Sequence, residues 1–213
     1  MTTESQMQDT KYRNGFTLAE LLIALMVTSI ILAAVATLAY AMSSANKISG
    51  DTSQKQAQVR FATLRISELI RHSKLILKAN DDDLAVWRAD DNGDGKINAN
   101  ELVYIEAGQN RDYLRLLEFP SAASGAIPLN GILGGTEKPA LVSNYGGRQM
   151  VLLPVCSNVQ FYPANIDQWS KSVTISFGLS ENGVVRQYQI EASLRGWAGN
   201  LLDGSGNIVS DDD

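Results

Sequence analysis

Two unlike patterns of apolar and polar positions divide this chain of 213 residues. From Leu21 to Met42 the run LLIALMVTSIILAAVATLAYAM is apolar on every side and holds no charge, proline or glycine. About 20 such residues, at 1.5 Å each, cross the hydrocarbon core of a bilayer. A buried core helix this long and uniformly apolar would need a larger protein around it. The pattern therefore predicts a membrane span over 21–42. Ser43–Gly50 reads as a weak interruption, and Asp51 with Gln54 as the cap of a renewed helix. Beyond it Val59, Ala62, Ile66, Leu69, Ser73 and Ile76 recur at steps of three and four, which places them on one stripe. Arg60, Arg65, Arg71, Lys74 and Lys78 fall largely off that stripe and read as a solvated face. The helix is expected to run to residue 79.

After Asn80 the period shortens to that of strands. Leu84–Ala89, Val103–Ala107, Tyr113–Phe119, Gln149–Leu153, Val159–Tyr162, Val173–Leu179 and Val184–Leu194 are short runs rich in β-branched, aromatic or leucine residues. Glu181-Asn182-Gly183 is a turn signal that joins the last two as an antiparallel hairpin. Ser121–Gly147 holds six glycines and two prolines and predicts an extended loop with little regular structure. One long helix followed by strands defines an α+β fold: the second half of the helix packs on an antiparallel sheet head.

Composition changes this picture in three places. A net charge of −5 and a pI near 4.9 argue against a partner recognised by neutralising nucleic-acid phosphates. The single cysteine, Cys156, forbids an internal disulfide and follows the apolar run Val151–Val155, so it reads as a buried inert thiol. The mean hydropathy of −0.08 is that of a soluble protein only because the apolar helix is averaged with an acidic head.

The leading edge of the span carries an anomaly. Glu20 stands at the end of Gly15-Phe16-Thr17-Leu18-Ala19-Glu20, directly before the apolar run. A carboxylate at the bilayer centre costs about 2.5–3.5 kcal/mol on insertion scales, so an acid here is a functional candidate. A secretory signal cut after Ala41 is the competing reading, with Lys11 and Arg13 as its positive region. The apolar run exceeds the usual length of such a signal, and an acid inside its leading edge is foreign to one.

Gly15 to Glu20, with Lys11 and Arg13 before and the apolar run after, resembles the cleavage and methylation motif of type IV prepilins and type II secretion pseudopilins. The resemblance implies a prepilin peptidase that cuts after Gly15 and methylates the new amino terminus of Phe16. It also implies that Glu20, then the fifth residue, pairs with the ammonium of a neighbouring pilin or pseudopilin as helices assemble. Such pairing removes an uncompensated charge from low dielectric. The expected organisation is a cytoplasmic leader over 1–15, a pilin helix over 16–79, and a periplasmic β-rich head over 80–213. Lys11 and Arg13 keep the amino end in the cytoplasm, with the chain anchored once in the bacterial inner membrane. Within this family the irregular head resembles that of minor pseudopilins, thought to initiate or cap a pseudopilus. A minor pilin of a type IV pilus is the nearest alternative, and an exported calcium-binding protein the next.

The sharpest motif in the head runs from Asp90 to Glu101. Asp90, Asn92 and Asp94 take positions one, three and five of an EF-hand loop, and Gly95 the sharp turn at six. Lys96 at seven supplies a backbone carbonyl, Asn98 stands at nine, and Glu101 at twelve binds with two oxygens. An all-oxygen set suits Ca²⁺, a hard ion. The flanks read as strands rather than helices, and Asp203–Asn207 is only a fragment of a second loop. A structural calcium site with a dissociation constant of roughly 10⁻⁴–10⁻³ M is expected. Asp81–Asp83 reads as a solvated turn, and Trp87, Trp169 and Trp197 as sheet packing. His72 is the only histidine, and no nucleophile, zinc or phosphate-loop pattern can be assembled, so the chain reads as structural rather than enzymatic.

Overall fold

The computed structural model describes residues 15–78, 82–163, 165–167, 169–196 and 209. Lys11, Arg13, Asp81, Trp197, Asp203–Asn207 and Asp211–Asp213 lie outside the described residues. The chain divides into two units, 1–49 and 50–213.

Within the first unit, α1 begins at Leu18, and this helix is continuous to Arg71. No break occurs at Ser43–Gly50, contrary to the sequence expectation, because Ser43, Ser44 and Asn46 are tolerated inside a helix that is already propagating. Every described residue of this unit is exposed. Three of its hydroxyls are satisfied by the helix itself: Thr28 Oγ1 donates to the Ala24 carbonyl at 2.9 Å, Ser29 Oγ to Met26 at 2.8 Å and Thr37 Oγ1 to Ala33 at 2.8 Å. Polar atoms treated this way are compatible with lipid, where no water is present to serve them.

In the second unit α1 presents Ala62, Ile66 and Ile70, all fully buried, with Val59 and Leu69 partly buried beside them. The stripe stops earlier than the periodicity implied. Ser73 N–H donates to the Ile70 carbonyl at 3.1 Å, and Lys74 N–H already pairs with Trp87 O at 2.9 Å. Ile76 is therefore not helical but lies in β1 (Leu75–Lys78). Its apolar side chain meets the same core from a strand.

Five strands follow in a simple meander: β1, β2 (Asp83–Trp87), β3 (Leu102–Ala107), β4 (Leu114–Glu118) and β5 (Arg148–Leu153) pair antiparallel with their sequence neighbours. A second sheet holds β6 (Ser157–Tyr162), β7 (Ser172–Glu181) and β8 (Val184–Ser193). Asn182 at φ 52° and Gly183 at φ 80° make the two-residue turn between β7 and β8, a conformation that matches the strand twist. That hairpin is tied to the helix at both ends. Asn182 N–H donates to Asp51 Oδ2 at 3.1 Å, and Arg195 N–H donates to the Arg71 carbonyl at 3.1 Å. Asp51 thus serves the hairpin rather than a helix cap. The spans agree, since the helix rises about 30 Å from Asp51 to Arg71 and a ten-residue strand covers about 34 Å.

Strand alternation sends side chains to two cores. Leu84, Val86, Val103, Ile105, Leu114 and Leu116 face one side, against α1 and the second sheet. Ala85, Trp87, Leu102, Tyr104 and Leu117 face the other. The second side is covered by segment 121–147, which is not the extended loop its glycines predicted. It forms α2 (Leu129–Leu133) and α3 (Glu137–Tyr145), with Ile127, Ile132 and Leu141 buried. Lys138 of α3 pins this cover to the sheet through ion pairs with Asp83 and Glu106, and Arg115 completes the network on Glu106. Glu106 is 3% exposed, and the two cations together compensate its buried charge.

Burial separates two aliphatic positions two residues apart, on opposite faces of α1. Ile66→Ala should destabilise the full chain in detergent by about 2–5 kcal/mol. Leu64→Ala, at a side chain 72% exposed, should change it by less than about 0.5 kcal/mol in chemical denaturation.

Candidate functional site

The amino-terminal site is built by the first turn of α1. Thr17 N–H and Oγ1–H both donate to Glu20 Oε2, at 3.0 and 2.9 Å, and Glu20 N–H donates back to Thr17 Oγ1 at 3.3 Å. This is a capping box, with Thr17 serving amides that the helix itself cannot. The Thr-x-x-Glu spacing of this box is legible in the sequence. Glu20 Oε1 accepts no hydrogen bond among the described residues and is exposed. Gly15 has open space on the side where a Cβ would stand, and Phe16 is 84% exposed. Gly15, Phe16 and Glu20 are all exposed.

The second candidate lies in the head, between β2 and β3, so its flanks are strands as expected. Asp90 Oδ1 accepts from Gly93 N–H at 2.8 Å and Asp94 N–H at 3.2 Å, while Oδ2 accepts from Gly95 N–H at 2.8 Å. Gly93 and Gly95 both sit at φ 68°, which only glycine adopts without strain. Asn92 Oδ1 accepts from Asp94 N–H at 3.0 Å, and Asp94 Oδ1 from Lys96 N–H at 2.8 Å. The Lys96 amide holds the Asp94 carboxyl below the usual aspartate range against the opposing cost of desolvation, with smaller help from the side chains of Asn98 and Asn92.

The loop closes in a 3₁₀ turn, Ala99–Glu101. Glu101 is fully buried: Oε1 accepts from Asp91 N–H at 2.9 Å, and Oε2 from Asn98 N–H at 3.1 Å and Trp87 Nε1–H at 3.2 Å. Trp87 was expected only as packing, and its indole donor is what anchors the acid. The donor set is all oxygen, which fits Ca²⁺ in kind. As placed, no group of three or more His, Cys, Asp or Glu among the described residues converges to hold a metal ion. Each oxygen of Asp90 and Glu101 is instead engaged by backbone or indole N–H groups.

Loop and cover are zipped together. Ala99 N–H donates to Gly125 O at 3.1 Å, Asn100 N–H to Ala123 O at 2.8 Å, and Ile127 N–H to Ile97 O at 2.7 Å. Nothing in the sequence spacing announces this pairing between segments some 25 residues apart. Cys156 is buried, and desolvation with the neighbouring Asp112 charge pushes its thiol up to about 12. A thiol so raised is a poor nucleophile at neutral pH. Trp169 is 40% exposed and does not pack in a sheet core, because it lies in the link before β7 rather than on a strand.

A family model described as the prokaryotic N-terminal methylation motif matches residues 10–36. No curated protein and no solved structure matches the chain. The match covers Gly15, Phe16 and Glu20 together with the apolar run as far as residue 36, and it supports a subunit of the pilin and pseudopilin class. With the motif goes a single-helix membrane anchor, processing by a prepilin peptidase and assembly with other pilins. That class is structural rather than enzymatic.

Proposed function

We propose that this chain is a minor pseudopilin that initiates or caps a periplasmic pseudopilus for type II protein secretion. The observation that carries the reading is the methylation motif leading into a helix whose every residue before Gly50 is exposed. A surface of that kind is stable only against lipid or against sister helices. The two-faced head, with α2 and α3 added over its sheet, favours a specialised position over a repeating one. In this reading residues 1–15 are removed, Phe16 becomes the methylated terminus, and Glu20 Oε1 accepts the ammonium of a neighbour. Lys11 and Arg13 hold the amino end in the cytoplasm and leave the head in the periplasm.

Mass spectrometry of the mature chain should find an amino terminus at methylated Phe16. A start after Ala41 would instead mark an exported protein with an ordinary signal. Glu20→Ala should leave processing and insertion intact and abolish incorporation into filaments; undiminished incorporation would refute the pairing role. Pull-down of secretion components rather than retractile-pilus components would separate the pseudopilus reading from that of a type IV minor pilin.

We also propose that Ca²⁺ braces the head through Asp90, Asn92, Asp94, the Lys96 carbonyl, Asn98 and Glu101. Its support is the oxygen-only set on a loop whose glycines already adopt the turn. Calcium at ten times its dissociation constant should stabilise the full chain by about 1.4 kcal/mol. That corresponds to a rise in Tm of about 3–6 °C for a chain of this size. If the double variant Asp90→Ala, Asp94→Ala responds to calcium as the parent does, the ion binds elsewhere.

A further inference from the structure

The distal end of α1 gathers positive charge in an otherwise acidic protein. Two main-chain hydrogen bonds bring it together: Leu194 N–H donates to the Lys171 carbonyl at 2.9 Å, and Arg195 N–H donates to the Arg71 carbonyl at 3.1 Å. Beside them lies a cleft of about 380 Å³ lined by Ser67 and Arg71 of the helix, by Glu191 and Ser193 of β8, and by Arg195. A second hollow of about 360 Å³ shares Glu191 and Ser193 and adds Ser172 and Thr174 of β7. Arg71 and Arg195 are both exposed, and neither has an ion-pair partner among the described residues. Five other arginines in the head are paired, Arg65 with Glu118, Arg88 with Asp91, Arg111 with Asp82, Arg115 with Glu106 and Arg186 with Glu181, whereas Arg60 and Arg148 have no ion-pair partner among the described residues and line neither hollow.

We infer that this cleft binds a carboxylate carried on an acidic protein segment. Charge selects the ligand. The charged side chains that line the cleft, Arg71, Arg195 and Glu191, sum to about +1, which matches one carboxylate better than a dianionic phosphate with its larger desolvation cost. The carbonyl end of α1 adds partial negative charge and opposes a dianion further. The planar forks of Arg71 and Arg195 suit bidentate contact with a carboxylate. The hydroxyls of Ser67, Ser172, Thr174 and Ser193 supply donors and acceptors for the peptide groups on either side of it. The hollow is open rather than enclosed by apolar walls, so it fits a side chain presented from a protein surface better than a small molecule that must be buried. The Arg71 side chain is exposed, and the bond that ties α1 to Arg195 is made by its carbonyl.

The probe is a fluorescein-labelled penta-aspartate peptide, titrated by anisotropy against the full chain in neutral detergent. Saturable binding at one site is expected, weakening as salt is raised. Arg71→Gln and Arg195→Gln should each reduce affinity about tenfold at unchanged Tm, and Glu191→Gln should increase it. Penta-asparagine should not bind. Equal binding by the double glutamine variant, or an equal loss in the control Arg148→Gln, would overturn the assignment. So would displacement of the peptide by inorganic phosphate or by phosphatidylglycerol in the micelle at concentrations that saturate the site with peptide, since either result would make the cleft a phosphate site.

Discussion

A helix whose first half satisfies its own backbone but covers none of its apolar side chains sets the terms for the rest of this protein. Leu21, Leu25, Ile30, Leu32 and Leu38 are each more than half exposed. At roughly 25 cal/mol per Å², leaving that surface in water is unfavourable enough to require lipid or other helices around it. The helix also presents one carboxylate at its start, Glu20, bonded to Thr17 through one oxygen and, among the described residues, unbonded at the other. An exposed apolar stem and an accessible acid at its tip are what a subunit that leaves the bilayer for a helical filament requires.

The head solves the opposite problem. It must fold on a helix whose first half offers it nothing. The sheet β1–β5 does so with two buried faces, one closed by α1 and the second sheet, the other by α2, α3 and the turn after the acidic loop. Trp87 and Glu101 join the acidic loop to that second core, and Lys138 joins the cover to the sheet. The loop, the cover and the strands between them therefore share one set of contacts. Local loss of the Glu101 anchor would be felt in the packing of Ile97 and Ala99 as well.

What the sequence disclosed followed physical range. Strands β2 to β8 were legible within one or two residues, because alternation and the Asn182-Gly183 turn are local signals. The motif at Gly15–Glu20 was legible for the same reason. Three features were not. Ile76 fitted a helical stripe and a strand equally well, and only the pairing of Lys74 with Trp87 decided for the strand. The glycines of 121–147 spoke for a loop, yet Ile127, Ile132 and Leu141 had a sheet face to cover, and burial overrode composition. The pairing of 97–100 with 123–127, and the meeting of Arg71 with Arg195, are tertiary and have no sequence period at all. The acidic loop is intermediate: its turn geometry was readable from the spacing of Asp90, Gly95 and Glu101, while the Trp87 donor beneath Glu101 was not.

The central claim is that the apolar face of α1 is covered by sister helices once the subunit assembles. A photo-crosslinking amino acid placed at Leu25 in cells measures this directly. The account predicts crosslinks to lipid in the unassembled, processed chain and to other pilin-type helices when filaments form. Crosslinks confined to lipid under filament-forming conditions, or recovery of a chain that lacks Leu25 altogether, would contradict it.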